Sequence, residues 1–161
     1  MQHDPKARSA SWPTLAGFTL LCVFGGAASG LATPPDGWYW KLTKPSWTPP
    51  PWLFGPVWTL LYLMMGVSAW LLWRRRSLPG GRIAITLFFT QLVLNFAWTP
   101  LFFGLHALGL AFAEIVVLWV AIATTITAGW RVHRVAVAMM LPYLAWVSFA
   151  SALNFAIWRL N

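Results

Sequence analysis

In a chain of 161 residues, 59% are hydrophobic, only 9% are charged and thirteen are tryptophan, with a mean hydropathy of +0.65. A soluble domain of that size cannot cover its surface with so little polarity, so composition excludes that class and leaves an integral membrane protein. The formal net charge of +8 does not signal nucleic acid, because the basic residues lie almost wholly outside the apolar runs, where membrane-flanking charge belongs.

Residues 1–12 are polar, carry Lys6 and Arg8, and read as a short disordered tail. The run 13–31 is uncharged and long enough, at roughly 1.5 Å per residue, to cross most of a ~30 Å hydrocarbon layer. Its basic start and the small residues Ala27, Ala28 and Ser29 also fit a cleaved signal peptide, but the length of the run favours a retained span. Gly26 and Gly30, one turn apart, let another helix approach closely, either within the chain or from a second copy. The single cysteine, Cys22, lies here, so no intramolecular disulfide can form.

The first loop, 32–52, contains the segment WYWKLTKPSWTPPPW from Trp38 to Trp52. Pro45, Pro49, Pro50 and Pro51 each lack a backbone donor and restrict the residue before them, which argues for a semi-rigid, non-helical segment. Trp38, Tyr39, Lys44, Trp47 and Trp52 are therefore candidate lid residues over a flat apolar ligand. The same tryptophans also fit an interfacial aromatic belt.

A second span, 53–73, ends against Arg74, Arg75 and Arg76, and Pro79, Gly80 and Gly81 then break the chain. The third, 83–103, carries Gln91, Asn95 and Thr99, with Pro100 near its end. The connector 104–107 is short enough to make the third and fourth spans an antiparallel hairpin. The fourth, 108–130, holds Glu114, the only charged residue in any span. Arg131, His133 and Arg134 precede the fifth, 135–158, and Arg159 follows it. The fold expected is all-α, a five-transmembrane-helix bundle in one domain over 13–161. By the positive-inside rule its N-terminus and the loops after spans two and four are cytoplasmic, and the C-terminus and first loop face the other compartment.

Depth and spacing test whether a site is possible. Counted from the lid side, Asn154 lies roughly 6 Å in, Trp58 roughly 8 Å, Asn95 roughly 12 Å, Tyr62 roughly 14 Å and Trp146 roughly 18 Å. Trp58 with Tyr62, Gln91 with Asn95 and Trp98, and Trp146 with Ala150 and Asn154 each share one helix face. Trp58, Tyr62, Asn95, Trp98, Trp146, Ala150 and Asn154 are thus the candidate ligand-binding set: indole faces for stacking and carboxamides and a hydroxyl for hydrogen bonds in an apolar pocket. The competing reading is structural, since membrane-buried Asn and Gln often bond a neighbouring helix, and it is the stronger one for Gln91 and Asn154. Trp12, Trp38, Trp73, Trp130 and Trp158 sit at span ends as interfacial anchors, and Pro100 and Pro142 read as kinks. Glu114 reads as a structural carboxylate before a proton relay.

Three blocks, WYWKLTKPSWTPPPWLFGPVWTLLYLMMG, QLVLNFAWTPLFFG and PYLAWVSFASALNFAIWRLN, closely resemble the tryptophan-rich sensory protein/translocator protein family, also called peripheral-type benzodiazepine receptors. The resemblance implies a five-helix membrane receptor or sensor, with a transport role open, that binds tetrapyrroles such as protoporphyrin IX. Some members degrade porphyrins in light, and animal members bind cholesterol and drugs. Trp58 and Trp146 match the family's ligand-contacting tryptophans, and Asn95 its third-helix asparagine. Lys41 and Lys44 at the lid are placed to meet ligand carboxylates. A homodimer is implied as well. Two departures stand out: Phe155 replaces the tyrosine of the sterol-recognition stretch, so sterol is not predicted, and Leu110 replaces a tryptophan near the start of the fourth helix.

Three functions remain open on the sequence. The chain is a tetrapyrrole receptor, an enzyme that opens a photoexcited porphyrin with Trp58 and Trp146 as redox partners, or a scaffold for other membrane proteins. No metal site is expected and no cofactor is required, the porphyrin entering as a ligand. His3, His106 and His133 all lie outside the spans, which leaves no axial haem ligand and favours a metal-free macrocycle.

Overall fold

Long apolar runs without water must satisfy every backbone donor and acceptor internally, so they become helices. The computed structural model describes residues 12–161, and five of its helical stretches are long and apolar enough to cross a membrane. Their long helices are α1 (Trp12–Ala32), α3 (Phe54–Arg74), α4 (Gly81–Thr99), α5 (Leu108–Gly129) and α7 (Leu141–Leu160). Two short helices, α2 (Gly37–Lys41) and α6 (Arg134–Ala138), lie in the first loop and just before α7. No strand is present among the described residues. The polar tail expected over 1–12 lies outside the described residues, except that Trp12 already begins α1.

The first loop is more structured than its prolines imply. Asp36 caps α2, its Oδ1 accepting from the backbone N–H of Trp38 at 3.0 Å and of Tyr39 at 3.3 Å. An aspartate at that position satisfies two of the donors a helix start leaves unpaired. The proline-dense part stays non-helical up to a single 3-10 turn, Pro51–Leu53, that leads into α3.

Neither proline expected to kink a helix does so from the middle. Pro142 is the second residue of α7, where a missing N–H costs nothing. Pro100 opens a wide turn, Pro100–Gly104, closed by Leu105 N–H donating to Pro100 O at 2.9 Å. Lacking an N–H, Pro100 cannot bond the carbonyl of Phe96. The Ser29 hydroxyl of α1 donates to that carbonyl instead, at 2.7 Å, as freed carbonyls in membranes require.

The core runs through all five long helices. Met65, Leu72, Phe88, Leu118, Ile122, Tyr143 and Val147 are buried within it. Glycines set the close approaches: a Cβ at Gly66 would lie 2.5 Å from the Thr19 backbone, and Gly25 and Gly26 are filled by the rings of Phe96 and Tyr62. Of the two α1 positions read as a helix-contact pair, Gly26 is thus used within the chain, while Gly30 meets nothing within 4 Å.

Candidate functional site

The five long helices do not close completely beneath the first loop. They leave a cavity of about 350 Å³ lined mainly by apolar surface. From α3 come Phe54, Gly55, Trp58, Thr59 and Tyr62, from α4 Asn95, Trp98 and Thr99, and from α7 Trp146, Val147 and Ala150. The side toward α1 is made by Val23, Gly26, Ala27 and Gly30, with Thr33 and Pro35 above them. Six of the candidate ligand residues, Trp58, Tyr62, Asn95, Trp98, Trp146 and Ala150, therefore share one void.

Its polar groups are few and held. The Tyr62 hydroxyl donates to Asn95 Oδ1 at 2.8 Å, tying α3 to α4 at the cavity edge. Trp58 stacks on Tyr62, with ring centres 5.3 Å apart and planes 27° from parallel. Trp146 meets Phe54 edge-on at 5.7 Å. The Trp146 Nε1–H is buried without a partner among the described residues, an arrangement that costs free energy in an apolar interior.

Asn154 is not part of this lining. Its Nδ2 donates to the Leu108 carbonyl at 3.0 Å, and its Oδ1 accepts from Trp98 Nε1 at 3.1 Å. It thereby joins α7 to the start of α5 and to α4, and its hydrogen bonds are structural. Gln91 is fully buried off the cavity, with neither amide atom partnered among the described residues. Glu114 is likewise off the lining, and neither carboxylate oxygen has a partner among the described residues.

The lid residues brace the loop rather than line the cavity. Trp38 stacks on His106 at 4.0 Å, and the His106 Nε2 lies 3.4 Å from Asp36 Oδ2. Tyr39 packs edge-on against Phe103 and Trp47 against Phe149, while Trp52 stays 71% exposed. Lys44, placed from the sequence to meet ligand carboxylates, instead donates to the carbonyls of Tyr39 at 2.6 Å and Leu42 at 3.2 Å. The loop is also tied to the C-terminus: Thr43 N–H donates to Asn161 Oδ1, and Asn161 Nδ2 donates to Thr43 O, both at 3.0 Å.

Sequence reasoning missed α1 as a side of the cavity. Gly30 and Gly55 line it with nothing within 4 Å of where a Cβ would stand. A small residue that preserves a void carries the same letter as one that lets helices touch, so no sequence signal separates them.

Comparison with known proteins bears on the same region. The pattern defining the TspO/MBR family matches residues 18–159. The chain is 45% identical over 154 residues to a tryptophan-rich protein TspO of Chlorobaculum tepidum, covering 92% of this chain and 96% of that protein. It is 37% identical over 154 residues to the human translocator protein, covering 93% and 91%. A tryptophan-rich sensory protein of Cereibacter sphaeroides is 38% identical over 144 residues, covering 89% of each.

Proposed function

The chain belongs to the TspO/MBR family, a membrane receptor or sensor by that membership, and we propose that its ligand is a tetrapyrrole of the protoporphyrin type held in the cavity under the first loop. The observation that carries this reading is that Trp58, Tyr62, Asn95, Trp98, Trp146 and Ala150, from three helices, line one mainly apolar void. A planar macrocycle stacks on Trp58 and Trp146, and its pyrrole or carboxylate groups meet the few polar side chains, Tyr62 and Asn95, at the cavity edge.

At about 350 Å³ the cavity lies near the lower end of ligand sites, roughly 300–1,000 Å³. A full macrocycle therefore requires the first loop to move outward. The loop's polar ties, Asp36 to His106 and Thr43 to Asn161, are partly exposed and cost little to break, so the ring contacts of Trp38, Tyr39 and Trp47 set the cost of opening. Homodimer formation belongs to the same proposal, with the outward face of α1, where Gly17 is open and Leu20 and Phe24 are exposed, as the available surface.

The test is dark titration of the purified protein with protoporphyrin IX, followed by the Soret band. Saturable binding is expected, weakened about tenfold by Trp146→Leu, which keeps an apolar side chain but removes the stacking face (~1.4 kcal/mol). Binding no tighter than to an unrelated helical bundle, or an unchanged affinity in the variant, defeats the reading.

A further inference from the structure

The end of the bundle away from the first loop carries charge that no described carboxylate meets. Arg75 follows the last turn of α3, and Arg131 and Arg134 flank the connector between α5 and α6. With Trp130, His133 and Val135 they line a cleft of about 420 Å³. The side chains of these three arginines make no hydrogen bond or ion pair with any described residue. The described carboxylate side chains are Asp36, which faces His106 in the lid region, and Glu114, in the lid-side half of α5. The adjacent Arg74 and Arg76 lie over the rings of Trp70 and Trp73, at 4.9 and 4.2 Å.

The cleft is held together by tertiary packing. Gly80, at a φ of +78° that favours glycine, sits against Val132, which is buried in the connector after α5. Gly81 has no room for a Cβ against the Arg75 carbonyl. Two loops distant in sequence are thereby pinned side by side. His133 caps α6, its Nδ1 accepting from Ala136 N–H at 3.3 Å. An accepting Nδ1 requires a neutral ring with its proton on Nε2. Partial burial, and then the positive charge of Arg75, hold that ring below the ordinary histidine range. The exposed Trp130 beside it marks the level of the membrane interface.

We propose that this cleft binds the phosphate of an anionic phospholipid headgroup, with Arg75, Arg131 and Arg134 as its cationic contacts and His133 Nε2–H as a neutral donor. Guanidinium groups match phosphate oxygens in paired hydrogen bonds, and basic pockets between transmembrane helices suit anionic headgroups. The position at the ends of spanning helices favours a lipid over a soluble phosphate, which shares the same chemistry. A bound phosphate also opposes Arg75 electrostatically, so it raises the titration of His133.

The full chain in phosphatidylcholine nanodiscs containing phosphatidic acid tests this, with retained lipid read by native mass spectrometry. Arg131→Gln with Arg134→Gln is expected to lower phosphatidic acid retention on the order of twentyfold, about fivefold per arginine. Arg82→Gln, which removes one charge from the same end outside the cleft, should change it less than about twofold. Equal losses in both variants, or none in the double variant, overturn the site. Displacement by soluble glycerol phosphate at matched concentration keeps the phosphate chemistry but overturns the lipid as its source. Histidine NMR gives a second readout in the unmodified chain: added phosphatidic acid should move His133 titration upward, and no movement counts against the contact.

Discussion

At the lid end, all five long helices border a void of about 350 Å³, whereas toward the other end they close on Met65, Leu72, Phe88, Ile122 and Met140, none with any exposed surface. Glycine serves both ends with opposite results. Gly66 and Gly129 are pressed against Thr19 and Val137, while Gly30 and Gly55 face open space. The lid end is held by long-range polar ties, Asn161 to Thr43, Ser29 to Phe96 and Asn154 to Leu108. The far end is held by apolar packing under a rim of arginine. The difference teaches that a membrane bundle keeps a ligand cavity by hydrogen-bonding around it, since lipid supplies no hydrophobic drive to hold helices apart or together.

That contrast can be broken from its solid side first. Gly66→Val should cost about 3 kcal/mol, because a side chain there meets the α1 backbone rather than a flexible tip. Thermal unfolding in detergent measures it, and an unchanged midpoint would mean α1 and α3 are not in register as described. Gly30→Leu should do the reverse. It fills open space in the cavity, so protoporphyrin affinity should fall about tenfold while the unfolding midpoint stays within about 2 °C. A large drop in the midpoint would make Gly30 a packing residue.

Ser29→Ala sharpens the comparison with a smaller effect. It leaves the Phe96 carbonyl unmatched beside Pro100 and should cost about 1 kcal/mol. If stability is unaffected, another donor reaches that carbonyl. The smallest effect belongs to His133. Its folded pKa is lowered by burial and by Arg75, so its contribution is present above the unfolded value near 6.5 and is lost as pH falls through the folded one. His133→Asn, which keeps a helix-capping oxygen, should flatten the stability profile between about pH 7 and 5. A profile of unchanged slope assigns the pH dependence elsewhere.

Much of the scaffold was readable from uncharged run length. The expected runs 53–73 and 108–130 lie close to the observed Phe54–Arg74 and Leu108–Gly129. The run 135–158 hid a break, because α6 and α7 are separated by a turn at Met139 and Met140 that apolar composition does not reveal. Trp58, Tyr62, Asn95 and Trp146 could be grouped by depth and helical spacing. Spacing could not tell that Asn154, on the same face as Trp146 and Ala150, spends both ends of its amide on Leu108 and Trp98. Nor could it tell that Lys44 would turn inward to its own loop. Side-chain rotation and neighbouring carbonyls decide those outcomes, and neither is written in one segment.

By itself the sequence determined the number of crossings, the helical class and the charge carried at each end, because hydrocarbon leaves helix as the only open-chain solution and excludes arginine from its centre. Only the tertiary structure decided which side of each helix turns inward, that α1 borders the cavity, and which glycines touch a neighbour. The reason lies in the solvent. In water a helix advertises its inner face by contrast with a polar outer one, but in lipid both faces are apolar, and the choice passes to packing between helices.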